Sequence, residues 1–472
     1  MQSMNLAMRR RASGPTVGRV RAGGILVAAA LFAVSGWFVR PTDDVRVPGP
    51  NGAAVPAPGA VAAGSGSAGS GSAGVGQASA VDRLALAERL AFWVARVDEQ
   101  PGDFLSWLHL AAAHAEHARH TADVASYERA AVAVATAVEI VPNYPPAFGV
   151  RAALRFATHD FAGAIGDAER VLESLPRNPA ALAVLGDALA ESGRLDAAAD
   201  AVGRLASVAA GPAVDVRMAR LAYLSGDPSR AVVLARAAYD AAVRSGDPDA
   251  AFYAYALGEY ARLAGDVVVA RAGFEAALAA RPDDLGALLG LARIDAFDGR
   301  LDAAVAGLRR AAAIAPQPET VALLGDLLAT AGDRAGARLQ YDTVRLTGEL
   351  SALAGAVYDR QLSLFELDHG GASEALFAAA RAALEVRSDA GGHDLVAWAA
   401  YRLGRLDEAR RASVSALASG TRDARILFHA GAIELAGGDA ARGRASLRDA
   451  LALGPALDPP ERAEAERLLA GS

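Results

Sequence analysis

The sequence predicts an all-α fold, an α-solenoid of about ten helix–turn–helix repeats, on the strength of two periodic observations. A loop signal, usually Gly followed by Arg or Asp, recurs at spacings of 33, 39, 34, 33, 38, 34 and 34 residues. Each signal lies between two segments of helical periodicity. The signals are Gly193, Gly226, Gly265, Gly299, Gly332, Gly370, Gly404 and Gly438, and His159 takes the same place 34 residues before the first. Repetition at this period indicates an array of repeats rather than a set of globular domains.

The second observation is the pattern of small and large residues around each loop signal, which residues 257–284 show clearly. Small residues let two helices approach closely, and a large residue fills the space between them. Gly permits the turn, and Pro ends the second helix because it supplies no N–H. The marked positions of this unit are Gly258, Gly265, Ala270, Phe274, Ala277 and Pro282.

This pattern resembles the tetratricopeptide repeat (TPR) family, a 34-residue helix–turn–helix array. The resemblance covers nine copies over residues 145–457 and an irregular tenth copy over 104–144. It implies a right-handed solenoid in which the first helix of each repeat lines a concave surface. The Ala-rich composition without Lys is typical of a bacterium with a GC-rich genome.

The ends of such an array need covering helices, because each repeat is stabilised by its neighbours. We therefore expect residues 81–472 to form the solenoid together with an opening helix at Val81–Val97 and a closing helix at Pro459–Ala470. Two longer spacings, near residues 246–250 and 351–355, predict lengthened joints between repeats.

Residues 1–80 have a different composition. A basic region, residues 1–22, precedes an uncharged apolar segment, residues 23–39, and a Pro-, Gly-, Ser- and Ala-rich linker, residues 40–80. The apolar segment reaches the lower limit of about 17 residues for a membrane span. Positive charge before it predicts a signal-anchor that places the solenoid outside the cytoplasm. The alternative is a signal peptide cleaved near Ala33 and Ser35, after which the protein is secreted.

The composition excludes several kinds of chemistry. The chain has no Cys, which excludes disulfides, Cys-ligated zinc and thiol nucleophiles. It has no Lys, which excludes the phosphate loop of P-loop nucleotidases and Schiff-base catalysis. The formal charge of −7, with a basic excess only in residues 1–46, argues against a nucleic-acid partner. No catalytic set emerges, and we expect no enzyme activity and no cofactor.

Most acidic residues near the loops are predicted to cap helices. These are Asp227, Asp247, Asp266, Asp298, Asp333 and Asp439. One cluster invites a different hypothesis, because His109, His114, His117 and His120 occur within twelve positions. His114, His117 and His120 could share one helical face and hold Zn, Cu or Ni. The sequence favours no metal site, and a solvated or partly packed face is the simpler interpretation.

The family resemblance also implies which residues face the concave groove. Aromatic rings with interleaved Arg would suit a peptide, since rings supply contact area and guanidinium groups bind carboxylates. The carried-over positions are Arg220, Tyr223, Phe252, Tyr255, Glu259, Arg262, Arg293, Asp326, Arg360, Trp398, Tyr401 and Phe428. Packing between helices is the other interpretation of these rings. The sequence thus predicts a non-enzymatic, membrane-tethered scaffold for protein or peptide partners. The alternative is an extracytoplasmic metal- or ligand-handling accessory protein that uses the His-rich first repeat.

Overall fold

The computed structural model describes residues 85–121, 123–353 and 360–471. The predicted basic region, apolar segment and linker, which together make up residues 1–80, lie outside these ranges. Within them the chain forms 22 α-helices and no strand. The fold is therefore the predicted all-α solenoid of helix–turn–helix repeats.

The helices form ten consecutive pairs, which we number repeats 1–10, each with a helix A and a helix B. The pairs are α2 (Phe104–Thr121) with α3 (Val124–Ile140), α4 (Pro145–Ala157) with α5 (Phe161–Ser174), α6 (Pro179–Glu191) with α7 (Leu195–Ala206), α8 (Pro212–Leu224) with α9 (Pro228–Ser245), α10 (Ala250–Leu263) with α11 (Val267–Ala280), α12 (Leu285–Phe297) with α13 (Leu301–Ile314), α14 (Pro318–Thr330) with α15 (Arg334–Leu353), α16 (Arg360–Asp368) with α17 (Glu374–Val386), α18 (Ala390–Arg402) with α19 (Leu406–Leu417), and α20 (Ala424–Ala436) with α21 (Ala440–Ala452). Helix α1 (Leu86–Glu99) precedes repeat 1, and α22 (Pro459–Gly471) follows repeat 10 after a short 3-10 turn at Gly454–Ala456.

Phe274 shows how the repeat pattern builds the core. Its ring is fully buried between the A helices of repeats 5 and 6, where Gly258 and Gly290 face it. A Cβ atom on either glycine would overlap the ring. The small and large positions of the sequence pattern therefore mark the sites of closest helix approach, and burial of such a ring stabilises the fold by about 1.5–3 kcal/mol.

Several of the predicted caps are present. Asp227, Asp266 and Asp439 each accept a hydrogen bond from a backbone N–H in the first turn of α9, α11 and α21. Such a cap stabilises a helix by about 0.5–2 kcal/mol. Asp298 instead accepts a hydrogen bond from Arg300 at 2.6 Å, so its side chain forms a surface ion pair.

The prediction of a lengthened joint near residues 246–250 is wrong. Helix α9 has 18 residues, whereas the equivalent helix α11 of the next repeat has 14. The extra residues therefore extend a B helix, and the joint itself stays short. The second long spacing likewise coincides with a 20-residue helix, α15, which ends at Leu353 immediately before an undescribed segment.

The solenoid completes a turn and contacts itself. The A–B turns of repeats 3 and 4 lie against the loops that precede repeats 9 and 10. Gly193 and Gly226 have φ values of +75° and +83°, and a Cβ atom at either would overlap the carbonyl oxygen of Ser388 or Gly420, respectively. Glycine is needed at both turns for the left-handed backbone and for this close approach. We call the contact of repeats 3–6 with residues 387–389, 420–423 and 453–458 the ring contact.

Candidate functional site

All twelve residues predicted to line the groove lie on A helices. The structure divides them into two groups. One group lies on repeats 4–6 and 8 and has partners within the chain, and three of its members, Tyr223, Arg262 and Arg293, bond directly across the ring contact. The other group lines an open cavity formed by repeats 7–10.

Repeat 4 contributes Arg220 and Tyr223 to the ring contact. The Arg220 guanidinium pairs with Glu191, which is also paired with Arg387 from the loop before repeat 9. The Tyr223 hydroxyl donates to Asp423 at 2.8 Å, across 200 residues of sequence. Burial and the Asp423 carboxylate raise the pKa of Tyr223, so the hydroxyl stays protonated and donates.

Repeat 5 contributes a buried pair, Glu259 with Arg262. The guanidinium donates two hydrogen bonds to the carboxylate, at 2.8 and 2.5 Å, and a third to the carbonyl oxygen of Pro455 at 2.9 Å. Burial alone would raise the pKa of Glu259, but the Arg262 guanidinium outweighs it, and the pKa lies below its ordinary value. Both groups are therefore charged and held inside the protein.

Repeat 6 contributes Arg293, whose side chain is 6% exposed. Its guanidinium donates to Asp458 at 2.8 Å, across 165 residues of sequence, and to Glu319 at 2.6 Å. Burial opposes ionisation of Asp458, but the guanidinium groups of Arg293 and Arg425 outweigh it and lower its pKa to about 2. Arg293 thus joins the A helix of repeat 7 to the start of α22.

The remaining members of the first group also have partners within the chain. Arg360 forms a bidentate ion pair with Asp389, at 2.7 and 3.2 Å. The Tyr255 ring is buried against Gly286, and Phe252 packs edge-on to Tyr253 with ring centroids 5.2 Å apart. The four predicted groove arginines therefore already bind carboxylates of their own chain. Their role toward a partner stays a prediction.

The second group lines a concave cavity of about 340 Å³. The A helices of four successive repeats, α14, α16, α18 and α20, form its walls, and α22 closes one side. Four predicted groove residues contribute to its lining: Asp326, Trp398, Tyr401 and Phe428. We call this space the C-terminal cavity. It lies between the start of α22, which the ring contact holds in place, and the last four A helices.

A stack of rings forms the apolar part of the cavity wall. Trp398 lies parallel to Tyr401, with ring centroids 5.0 Å apart, and to His429 at 3.9 Å. Phe428 packs against the indole at 5.7 Å. His429 is fully buried, and its pKa is raised because the Asp394 carboxylate at 2.9 Å outweighs its desolvation. Only Tyr401 of this stack is half-exposed, so it forms the outer edge.

Apart from Asp326, sequence reasoning missed the charged residues of the cavity. Asp368 ends α16, Arg425 is the second residue of α20, and Glu461 lies in the first turn of α22. The Arg425 side chain joins two of these elements by pairing with Glu461 at 2.5 Å. For Glu461, the signal in the sequence was the charged segment directly after the last Gly-marked repeat. The repeat pattern predicts only a closing helix of the solenoid at Pro459–Ala470.

The His-rich repeat gives no metal cluster within the described part of the chain. His109 stacks on Trp93 with ring centroids 4.3 Å apart, and His114 is buried. Burial, together with the nearby Arg129 guanidinium, lowers the pKa of His114. His117 hydrogen-bonds Ser126 at 3.0 Å, whereas the side chain of His120 lies outside the described part of the structure.

No helix between residues 85 and 471 that the structure describes is long and apolar enough to cross a membrane. The predicted span, residues 23–39, lies outside the described residues.

Comparisons with known proteins give no family assignment. No family model and no curated protein matches the sequence. Among solved structures, a chain of the APC/C hetero-tetramer Cut9-Hcn1 is 14% identical, with a TM-score of 0.30, and the match covers 81% of this chain and 89% of that one. Two monomeric mutants of IFIT1, one with Gppp-AAAA and one with m7Gppp-AAAA, are each 15% identical, with TM-scores of 0.45 and coverage of 70% of this chain and 76% of theirs. At such identity a likeness concerns the fold alone. The chain's own helix pairs, with their small and large contact positions, make it a solenoid of TPR-like repeats.

Proposed function

We propose that this chain is a non-enzymatic scaffold that binds a segment of a protein partner in the C-terminal cavity. Residues 23–39 would hold it at the cytoplasmic membrane, with the solenoid outside the cytoplasm. The observation that carries the binding role is the cavity itself, which the A-helix face of repeats 7–10 leaves open. The equivalent face of repeats 3–6 is covered by the ring contact.

The size and lining of the cavity suit part of a peptide. A volume of about 340 Å³ lies at the small end of known ligand sites, which span roughly 300–1,000 Å³. Half-exposed Tyr401 and the rings behind it offer the aromatic contact area that protein partners commonly use as anchors. Attachment at a membrane would then raise the effective concentration of the bound partner there.

Panning a random-peptide display library on the purified full chain tests the binding role. We expect enriched peptides that bind the Tyr401→Ala variant at least ten-fold more weakly. The matched control is Tyr239→Ala, which removes a half-buried tyrosine from helix α9, far from the cavity lining. Failure to enrich any peptide, or equal losses in the two variants, would contradict the proposal.

Cell fractionation tests the tether separately. We expect the full chain in the membrane pellet after carbonate extraction, and we expect Leu31→Arg, in the middle of the apolar segment, to release it. A shortened, soluble protein found outside the cell would support the cleaved signal peptide instead. Recovery of the intact parent chain in the cytosol would contradict both.

A further inference from the structure

The charged lining of the C-terminal cavity is unbalanced. Six carboxylates line it, but only two guanidinium groups do, Arg402 and Arg425. The carboxylates are Glu319, Asp326, Asp368, Asp458, Glu461 and Glu464. A concave acidic surface concentrates positive charge and repels phosphate groups.

Four of these carboxylates have guanidinium partners. Glu319 and Asp458 pair with Arg293, Glu461 pairs with Arg425, and Glu464 pairs with Arg467. These pairs are part of the protein's own structure. Two of the six carboxylates remain without a guanidinium partner, and the excess negative charge of the cavity lies on these two.

Asp326 and Asp368 have no arginine partner among the described residues. Asp326 accepts hydrogen bonds from the Tyr341 hydroxyl at 2.8 Å and from His369 Nε2 at 2.9 Å. Asp368 accepts one from Trp398 Nε1 at 2.8 Å and is itself exposed. Asp368 is held next to the aromatic wall by a neutral donor alone, so no positive charge of the described residues within ion-pair distance compensates it. Asp326 has the neutral Tyr341 hydroxyl and also His369, whose pKa is raised because hydrogen bonding and attraction to this carboxylate outweigh the imidazole's burial, so His369 compensates part of its charge.

The pKa of Glu461 agrees with an excess of negative charge in the cavity. Its pKa is raised to about 7, first by burial and then by the neighbouring Asp458 and Asp368 carboxylates, even though Arg425 opposes the shift. A bound cation would relieve this repulsion.

We propose that the C-terminal cavity binds the side chain of an arginine or lysine residue in the partner peptide. The methylene stem would pack on Tyr401 and Phe365, and the cationic head would meet Asp326 and Asp368. The combination fits this ligand because long basic side chains carry an apolar stem and a charged end. This inference rests on the proposed function, since it names the chemistry of the segment that the cavity takes.

Titration calorimetry with matched peptides tests the inference on the full chain. The probes are acetylated, amidated five-residue peptides that alternate alanine with arginine, citrulline or glutamate. Citrulline keeps the shape of arginine but removes its charge. We expect the arginine peptide to bind at least ten-fold more tightly than the citrulline peptide, and the glutamate peptide to bind least.

The decisive variant is Asp326→Asn with Asp368→Asn, which keeps the shape of both side chains. We expect it to weaken arginine-peptide binding at least ten-fold. The control, Asp302→Asn with Asp407→Asn, makes the same change in net charge at two exposed positions on B helices and should bind as the parent does. If thermal unfolding shows that the first variant does not fold, Asp368→Asn alone serves, because Asp368 is exposed on the rim.

Three results would overturn the inference: equal affinity for arginine and citrulline peptides, equal weakening by the control variant, or preferential binding of an RNA oligonucleotide. Display-selected peptides that bind the cavity without basic residues would also overturn it while leaving the proposed function intact. Failure to select any peptide would overturn both.

Discussion

Repeats 3–6 and repeats 7–10 present the same kind of surface, a row of A helices rich in charged and aromatic residues, but they use it differently. In repeats 3–6 the ring contact covers it, with Arg262 bonded to the Pro455 carbonyl and Arg293 to Asp458. In repeats 7–10, α22 leaves a cavity next to Trp398 and Tyr401. Whether a solenoid face is structural or available to a ligand therefore depends on whether the next turn of the chain reaches it.

The largest expected effect comes from Arg293→Met, which removes one partner of a buried ion pair. It leaves Glu319 without its guanidinium partner and Asp458 with only Arg425, at 3.6 Å, and breaking a buried pair in this way costs about 3–5 kcal/mol. Urea unfolding followed by circular dichroism measures the loss. The control is Arg300→Met, since that side chain is 48% exposed and its pairs with Asp295 and Asp298 are solvent-screened. Equal midpoint shifts for the two variants would contradict the structural role of the ring contact.

A smaller effect is expected when a single methyl group is added at a turn. Gly226→Ala and Gly332→Ala both place alanine in a left-handed turn, which costs about 1–2 kcal/mol. Only Gly226 faces another part of the chain, the Gly420 carbonyl, whereas Gly332 faces open space. We therefore expect Gly226→Ala to lower the unfolding temperature further and to enlarge the radius of gyration in solution X-ray scattering. If both variants keep the parent's radius, the ring contact does not hold the solenoid closed.

A third effect concerns pH and Glu461, which lines the C-terminal cavity. The pKa of Glu461 rises from its ordinary 4.5 to about 7 on folding, because burial disfavours its charged form. The native state therefore binds more protons than the unfolded state between these values, and this group's contribution to stability falls as pH rises from about 4.5 to about 7.

Thermal unfolding at pH 5 and pH 8 measures this effect. Glu461→Gln cannot ionise, so we expect it to lose less stability than the parent between these two pH values. Glu466→Gln, at an exposed position on the same helix, should follow the parent. An unchanged pH dependence in Glu461→Gln would show that this carboxyl is not held in its protonated form.

The sequence predicted the local architecture well because repeats are encoded by short-range patterns. The glycines of the loop signal mark turns with positive φ, and Phe274 fills the gap between Gly258 and Gly290. His159, which stands where the other repeats have glycine, also takes the left-handed turn, at φ +63°.

The ring contact could not be predicted in the same way. Its partners lie 165–200 residues apart, and a periodic pattern specifies only neighbouring repeats. Moreover, Asp423 looks like an ordinary cap, and it does accept the backbone N–H groups of Arg425 and Ile426. Its other carboxylate oxygen accepts the Tyr223 hydroxyl. A residue with two roles shows only the local one in the sequence. Four members of the cavity were placed on the correct helices, but Asp368 and Glu461 were missed for the same reason.

The ion pair between Arg293 and Asp458 has a consequence for the order of events during synthesis. At typical rates of chain elongation, 165 residues take roughly ten to thirty seconds to make. During that interval the A helix of repeat 6 already exists, but the carboxylate at the start of α22 does not. Arg293 therefore stays without this partner until the loop before α22 is made, and the arrival of that loop completes the burial of its charge.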